Sequence, residues 1–133
     1  HTQLANGKIK RLDMDLRIPE PHLYFIEHVM GNWYLDHDYN FVAAHAGFNP
    51  TNFQNPTVEE ITFGEHRCWE KEEEVVPGMT MVFSHMCFEK PFRGKGKVGI
   101  DLGAGMHPEG KLCAWEASED VFYVVGKGQV CRI

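Results

Sequence analysis

A chain of 133 residues with 43% hydrophobic and 24% charged side chains can build one domain with a real core, and no more than one. A net charge of −6 without any block of Lys or Arg excludes the basic stripe that a nucleic-acid surface requires. No apolar run approaches the ~20 residues of a bilayer span, and no signal peptide is apparent.

The chain opens on His1 rather than Met, from which we expect that something upstream lies outside it. Residues 1–19 are mixed and polar and read as an extended or partly helical lead-in; the globular part runs over 20–133. Pro19 and Pro21 suit a helix start, and Leu23, Ile26 and Met30 share a stripe that predicts a helix over 21–30, stopped near Gly31. Trp33–Leu35 and Asn40–His45 read as two strands of a hairpin around the turn at 36–38. FNPTNFQNP, 48–56, is loop by composition. Thr57 and Glu60 have capping-box spacing, which predicts a helix from Val58 toward Glu74, broken at Gly64. Its acidic end, EKEEE, reads as a solvated face.

Pro77-Gly78 marks a turn, and a strand is expected over 79–84. RGKGK, 93–97, reads as a turn in a loop. KVGIDLG (97–103), KLCAWEA (111–117) and the run from 121 to 126 then form a C-terminal antiparallel meander. The fold class is α+β with a mixed sheet. The four cysteines show no Cys-x-x-Cys pair, so they read as reduced structural thiols, with Cys113 buried. That places the chain inside a cell, in a reducing compartment.

Two apolar runs end in the same way. Phe41–Ala44 leads to His45-Ala46-Gly47, and Met79–Phe83 leads to Ser84-His85. A helical crossover between them favours parallel neighbours, so both histidines come to the carboxyl edge of one sheet, where open α/β sheets place ligands. Imidazole suits first-row transition metals, and Ala44, Ala46, Gly47 and Ser84 leave room for an ion. Two ligands fall short of the three or four that a zinc site uses. Asp101 is the best local carboxylate; a turn hydrogen bond is its other reading.

In FVAAHAGFNP the chain resembles the "VHAG" segment of the calcineurin-like metallophosphoesterases, in particular the phosphoprotein phosphatase branch and its bacterial-type members. VFSHMCFEKP is similar to that family's "VFGHTPFxxP", and KVGIDLGAG…GKLCAWEA…VFYVV to its closing "IDTGA…GKLTALEL…FYSV". HLYFIEHV and HRCWEKEEEV fit as well, so the resemblance spans 20–126. It implies the second half of a metallophosphatase αββα sandwich. The family's two histidines bind one of two adjacent metal ions, and they carry over to His45 and His85. The complete family site holds manganese, iron or zinc and activates a bound water toward phosphorus. The family's "D-x-H", "GDxxDRG" and "GNHE" segments are absent; GNWYLDHD, 31–38, imitates the last by coincidence. Where the family has a phosphate-binding arginine in "W-x-R", this chain has Trp69-Glu70-Lys71, and lysine lacks the bidentate fork. Ser84, Met86 and Cys87 depart from the glycine, threonine and proline around the second histidine, and Leu102 from the threonine of "IDTGA".

The resemblance implies a metallophosphoesterase-like chain that is incomplete and non-catalytic as it stands. It would act as a structural or interaction subunit whose open sheet a protein partner, or the missing N-terminal half, covers. The alternative is the C-terminal part of an active metal-dependent serine/threonine phosphatase. A third reading is a small binding domain unrelated to phosphatases, with structural histidines.

Overall fold

The computed structural model describes residues 3–5, 8–10, 19–25 and 31–133. The chain divides into two compact units, His1–Met30 and Gly31–Ile133. In the first unit, strands β1 (Gln3–Ala5) and β2 (Lys8–Lys10) pair antiparallel, an extended lead-in. Helix α1, Glu20–Tyr24, begins where Pro21 tolerates the first turn. The rest of the helix expected over 21–30 lies outside the described residues, except Phe25. Among the described residues no helix is long and apolar enough to cross a membrane.

The second unit is a mixed α/β structure. Strands β3 (Trp33–Asp36) and β4 (Phe41–Ala44) form the expected hairpin, with Tyr39 N–H donating to Asp36 in its turn. Helix α2, Val58–Phe63, carries the full capping box between Thr57 and Glu60. Gly64 ends it in the left-handed region at φ 64°. The expectation of helix out to Glu74 is corrected here: after Gly64 only a 3₁₀ turn at Cys68–Glu70 follows. Strand β5, Thr80–Phe83, joins β4 in parallel, Ala44 opposite Phe83.

RGKGK is not a loop turn but the tip of a hairpin, β6 (Phe92–Gly94) and β7 (Lys97–Gly99). β7 lies parallel to β5 and closes a five-stranded mixed sheet in the order β3-β4-β5-β7-β6. This corrects the assignment of 97–103 to the meander. That meander is instead β8 (Leu112–Glu116), β9 (Val121–Gly126) and β10 (Gln129–Arg132). The β9–β10 hairpin turns at Lys127-Gly128, both at positive φ, which matches the twist of the flanking strands.

Side-chain alternation sends the two faces of the five-stranded sheet into two cores. Val42, Ala44, Met81 and Phe83 pack with Phe48, Ile61, Cys68 and Val75 from α2 and the segments around it. Val82 and Val98 face the other way, onto Leu102, Cys113, Phe122 and Val124. Both faces of that sheet are therefore covered within the unit. The apolar surface left open lies elsewhere: Trp33 and Tyr34 on edge strand β3, and Leu112, Val125 and Val130 on the three-stranded sheet.

Lys97 departs most from its expected place. It is 1% exposed, the one buried charged side chain among the described residues. Its ammonium donates to the carbonyls of Cys68 (3.4 Å), Lys71 and Glu73 (2.9 Å). Burial lowers its pKa from the ordinary lysine value. The cation thus ties the irregular chain after α2 to the start of β7.

Candidate functional site

The parallel register of β4 and β5 ends both strands at one level, with a histidine just beyond each. The turn after β4 is pulled inward. Ala46 N–H donates to Ile61 O at 2.7 Å, the Cys68 thiol to Ala46 O at 3.6 Å, and Phe48 N–H to Met81 Sδ at 3.2 Å. Gly47 makes this possible: it sits at φ 76°, and a Cβ there would lie 2.6 Å from Cys68 Sγ. The collapse leaves His45 as the exposed tip of an otherwise buried turn.

Beyond β5, Ser84 N–H donates to His45 O at 2.8 Å and locks the two strand ends together. His85 follows at φ 67°, inside a tight turn closed by Met86 N–H to Ser84 O at 2.7 Å. The left-handed region is costly for a side chain with a Cβ, and such outliers collect at functional sites. The effect is to swing the His85 ring back over its neighbour. His45 Nε2 and His85 Nδ1 stand 3.1 Å apart, with ring centroids at 5.0 Å and planes at 71°.

One proton arrangement uses every contact of this cluster. His45 Nδ1 lies 3.3 Å from Ser84 Oγ, which lies 3.3 Å from His45 O. With the proton on Nδ1, His45 donates to the hydroxyl and the hydroxyl donates to the carbonyl. Nε2 is then bare and accepts from His85 Nδ1–H. Sequence reasoning took Ser84 as a small neighbour and a departure from a glycine. Its role as the group that sets the His45 tautomer depends on a hydroxyl 39 residues away in sequence, which no local pattern announces.

The pair suits a transition metal in part. Two nitrogens bound to one ion at ~2.1 Å and at right angles lie ~3 Å apart, close to the separation seen. His45 presents a bare nitrogen, and His85 does so once its Nδ1 proton leaves. The other expected partners do not join them. Asp101 takes its turn role: Oδ1 accepts Gly103 N–H at 2.9 Å and the Cys87 thiol at 3.5 Å. Lys71 is exposed; its carbonyl accepts from the Lys97 ammonium and its N–H donates to Cys68 O at 3.3 Å. Among the described residues no group of three or more His, Cys, Asp and Glu side chains is placed to hold a metal ion. All four cysteines are free, with Cys68 and Cys113 buried. Burial pushes the Cys68 thiol up to about 11, so it stays protonated and structural.

Comparison with known proteins gives no family: no family model, no curated protein and no solved structure matches this chain.

Proposed function

We propose that the chain is a metallophosphoesterase-like module, half of an αββα sandwich, that acts as a structural or interaction subunit. In this reading it offers His45 and His85 to a metal centre completed from outside residues 31–133, by a protein partner or by the family's other half. A single observation carries it: two imidazoles from the carboxyl ends of adjacent parallel strands meet nitrogen to nitrogen at 3.1 Å, in the segments whose motifs resemble the family. Manganese, iron or zinc fits the donor type. When bound, such a centre supplies Lewis-acid polarisation of a phosphate and an acidified water. The chain's own residues hold two ligand positions and orient one of them through Ser84. Lys71, on the surface, offers a cation to a phosphate without a fork.

With two imidazoles and no third His, Cys, Asp or Glu placed beside them among the described residues, the chain by itself is expected to turn over no phosphoester. The exposed Trp33 and Tyr34 of edge strand β3 and the open face of the three-stranded sheet provide surface for a partner. The alternative reading, the C-terminal part of an active serine/threonine phosphatase, draws on the same imidazole pair and needs the missing ligand segments to be joined to it.

Purified chain titrated with Mn(II), followed by proton relaxation of water, tests the pair. Weak binding, lost in both His45→Ala and His85→Ala, is expected, along with no hydrolysis of p-nitrophenyl phosphate. Equal binding in wild type and both variants overturns the reading, and turnover by the wild-type chain alone overturns its non-catalytic part.

A further inference from the structure

We infer that strand β10 pairs antiparallel with β10 of a second copy of this chain, about a twofold axis, to make one six-stranded sheet. The first observation is the set of main-chain groups that β10 leaves over. Phe122 and Ile133 exchange both of their main-chain bonds, N–H to O at 2.9 and 2.8 Å. In an antiparallel ladder the bonded pairs recur at every second residue, so Cys131 with Val124 and Gln129 with Gly126 are bonded pairs too. The N–H and C=O of Val130 and Arg132 therefore point away from β9. On that side the sheet order β10-β9-β8 supplies no strand among the described residues.

The second observation is that this edge carries none of the devices that keep sheet edges apart. Residues 129–132 pair with β9 in unbroken register, without a bulge, and include no Pro or Lys. Their one charge, Arg132, is met by Glu119 of the same chain, and before the strand Lys127 meets Glu109 at 2.8 Å. The net charge of −6 is thus not gathered at this edge, and a second copy meets balanced charge there. Above the strand, Val130 is 66% exposed and continues a row with Val125 and Leu112 across the sheet. Below it, Cys131 borders a cavity of about 390 Å³ with Val124 and Ile133. The edge is open on both faces.

The twofold fixes the register. A side chain above the sheet must stand opposite another above it, and outward main-chain groups must meet outward ones. Val130 opposite Arg132 of the second copy satisfies both conditions with strand residues alone. Four main-chain hydrogen bonds form, and they use every group that the two strands leave over. The aliphatic stem of the second copy's Arg132 lies along Val130 and prolongs the apolar row. Cys131 falls on the axis, opposite its own counterpart at a non-bonded position, where Cα atoms stand ~4.5 Å apart and a small side chain fits. Each copy spends the same edge, so the assembly closes at two. This names one partner for the open three-stranded sheet, and His45 and His85 take no part in it.

The test is sedimentation velocity of the full chain at rising concentration, with reductant present. Monomer should pass to dimer and no further. Charge reads the register: Val130→Lys sets a cation opposite Arg132 twice in each dimer, and Val130→Glu sets an anion there. The dissociation constant of the lysine variant should exceed that of the glutamate variant by about tenfold or more. Both changes lie at an exposed position, and far-ultraviolet circular dichroism checks that the fold stands. Without reductant, diamide should oxidise the two Cys131 thiols to one disulfide, taking up their protons and electrons. Cys131→Ser should lose that product and keep the dimer in sedimentation. A monomer at every concentration, species larger than a dimer, equal constants for the two charge variants, or a disulfide-linked pair that survives Cys131→Ser each overturns the pairing. His45→Ala and His85→Ala should leave the dimer intact, so the outcome is independent of the Mn(II) experiment.

Discussion

The two ends of the parallel strands treat a basic nitrogen side chain in opposite ways. At the start of β7, Lys97 is sealed from water and each donor direction meets a carbonyl. At the ends of β4 and β5, His45 and His85 stand in solvent and, among the described residues, their side chains meet each other and Ser84. Burial of a charge is tolerated only with full compensation, so saturation at Lys97 marks a structural bond. The imidazole pair has nitrogens to spare and no stake in the core, which is how a site looks when it serves something outside the unit.

The largest expected effect falls on the saturated end. Lys97→Met keeps the aliphatic stem and takes the side-chain donor from the carbonyls of Lys71 and Glu73, while Cys68 O keeps the Lys71 N–H at 3.3 Å. Leaving such acceptors unmet costs about 3 kcal/mol in total, or roughly 10 °C in melting temperature. Calorimetry of wild type and variant measures it. His45→Ala, tested beside it, should move the melting temperature by no more than about 2 °C, because an exposed side chain leaves no cavity. A large loss in His45→Ala would place that ring among the structural residues and dissolve the contrast.

The same contrast explains how much was legible in the sequence. The strand tips were legible: apolar runs closing on His45 and His85 with a helical crossover between them favoured a parallel pair, and the imidazoles do meet. The capping box at Thr57 and Glu60 was equally local, and it holds; at Gly64, read as a break within a longer helix, the helix ends. Lys97 was not legible. A lysine that closes the RGKGK run reads as part of a solvated turn, and its burial is decided by carbonyls 24–29 residues earlier in the chain. β6 and β10 were missed for a related reason. Each is only three or four residues long, and pairing with a neighbour rather than propensity makes it a strand. Asp101 shows the limit for sites: its residue type fitted a ligand, and only the Gly103 N–H and the Cys87 thiol reveal what it binds.

A smaller effect sharpens the other side of the comparison. Ser84→Ala removes the acceptor of His45 Nδ1–H and frees the ring to take either tautomer. Loss of such an orienting partner typically weakens metal affinity by about tenfold or more while the fold stands. Nitrogen chemical shifts of His45 report the tautomer without any metal: a single neutral form in wild type and a mixture in Ser84→Ala. Identical spectra would remove Ser84 from the site.

Smaller again is an effect of acid on α2. Thr57 N–H first, then Asn49, hold the Glu60 carboxyl down at about 2. A carboxyl lowered in the folded state adds stability above its unfolded value near ~4.3, and that stability fades as pH falls toward 2. The urea midpoint of wild type should therefore drop between pH 5 and pH 2, and Glu60→Gln should flatten that part of the slope. An unchanged slope would detach the capping box from acid sensitivity.

The smallest effect is the one that separates the two ends most cleanly, because its sign is reversed. His85 holds φ 67°, a region that costs an ordinary residue ~1–2 kcal/mol and glycine almost nothing. Glycine in turn gains freedom in the unfolded chain, which returns part of that difference. His85→Gly should thus raise the melting temperature by about 2 °C while abolishing Mn(II) binding. A residue whose removal stabilises the fold and erases the ligand is held in place by what it binds rather than by what it packs against. If His85→Gly lowers the melting temperature instead, the ring contributes to folding as Lys97 does, and the two ends of the sheet are the same kind of place.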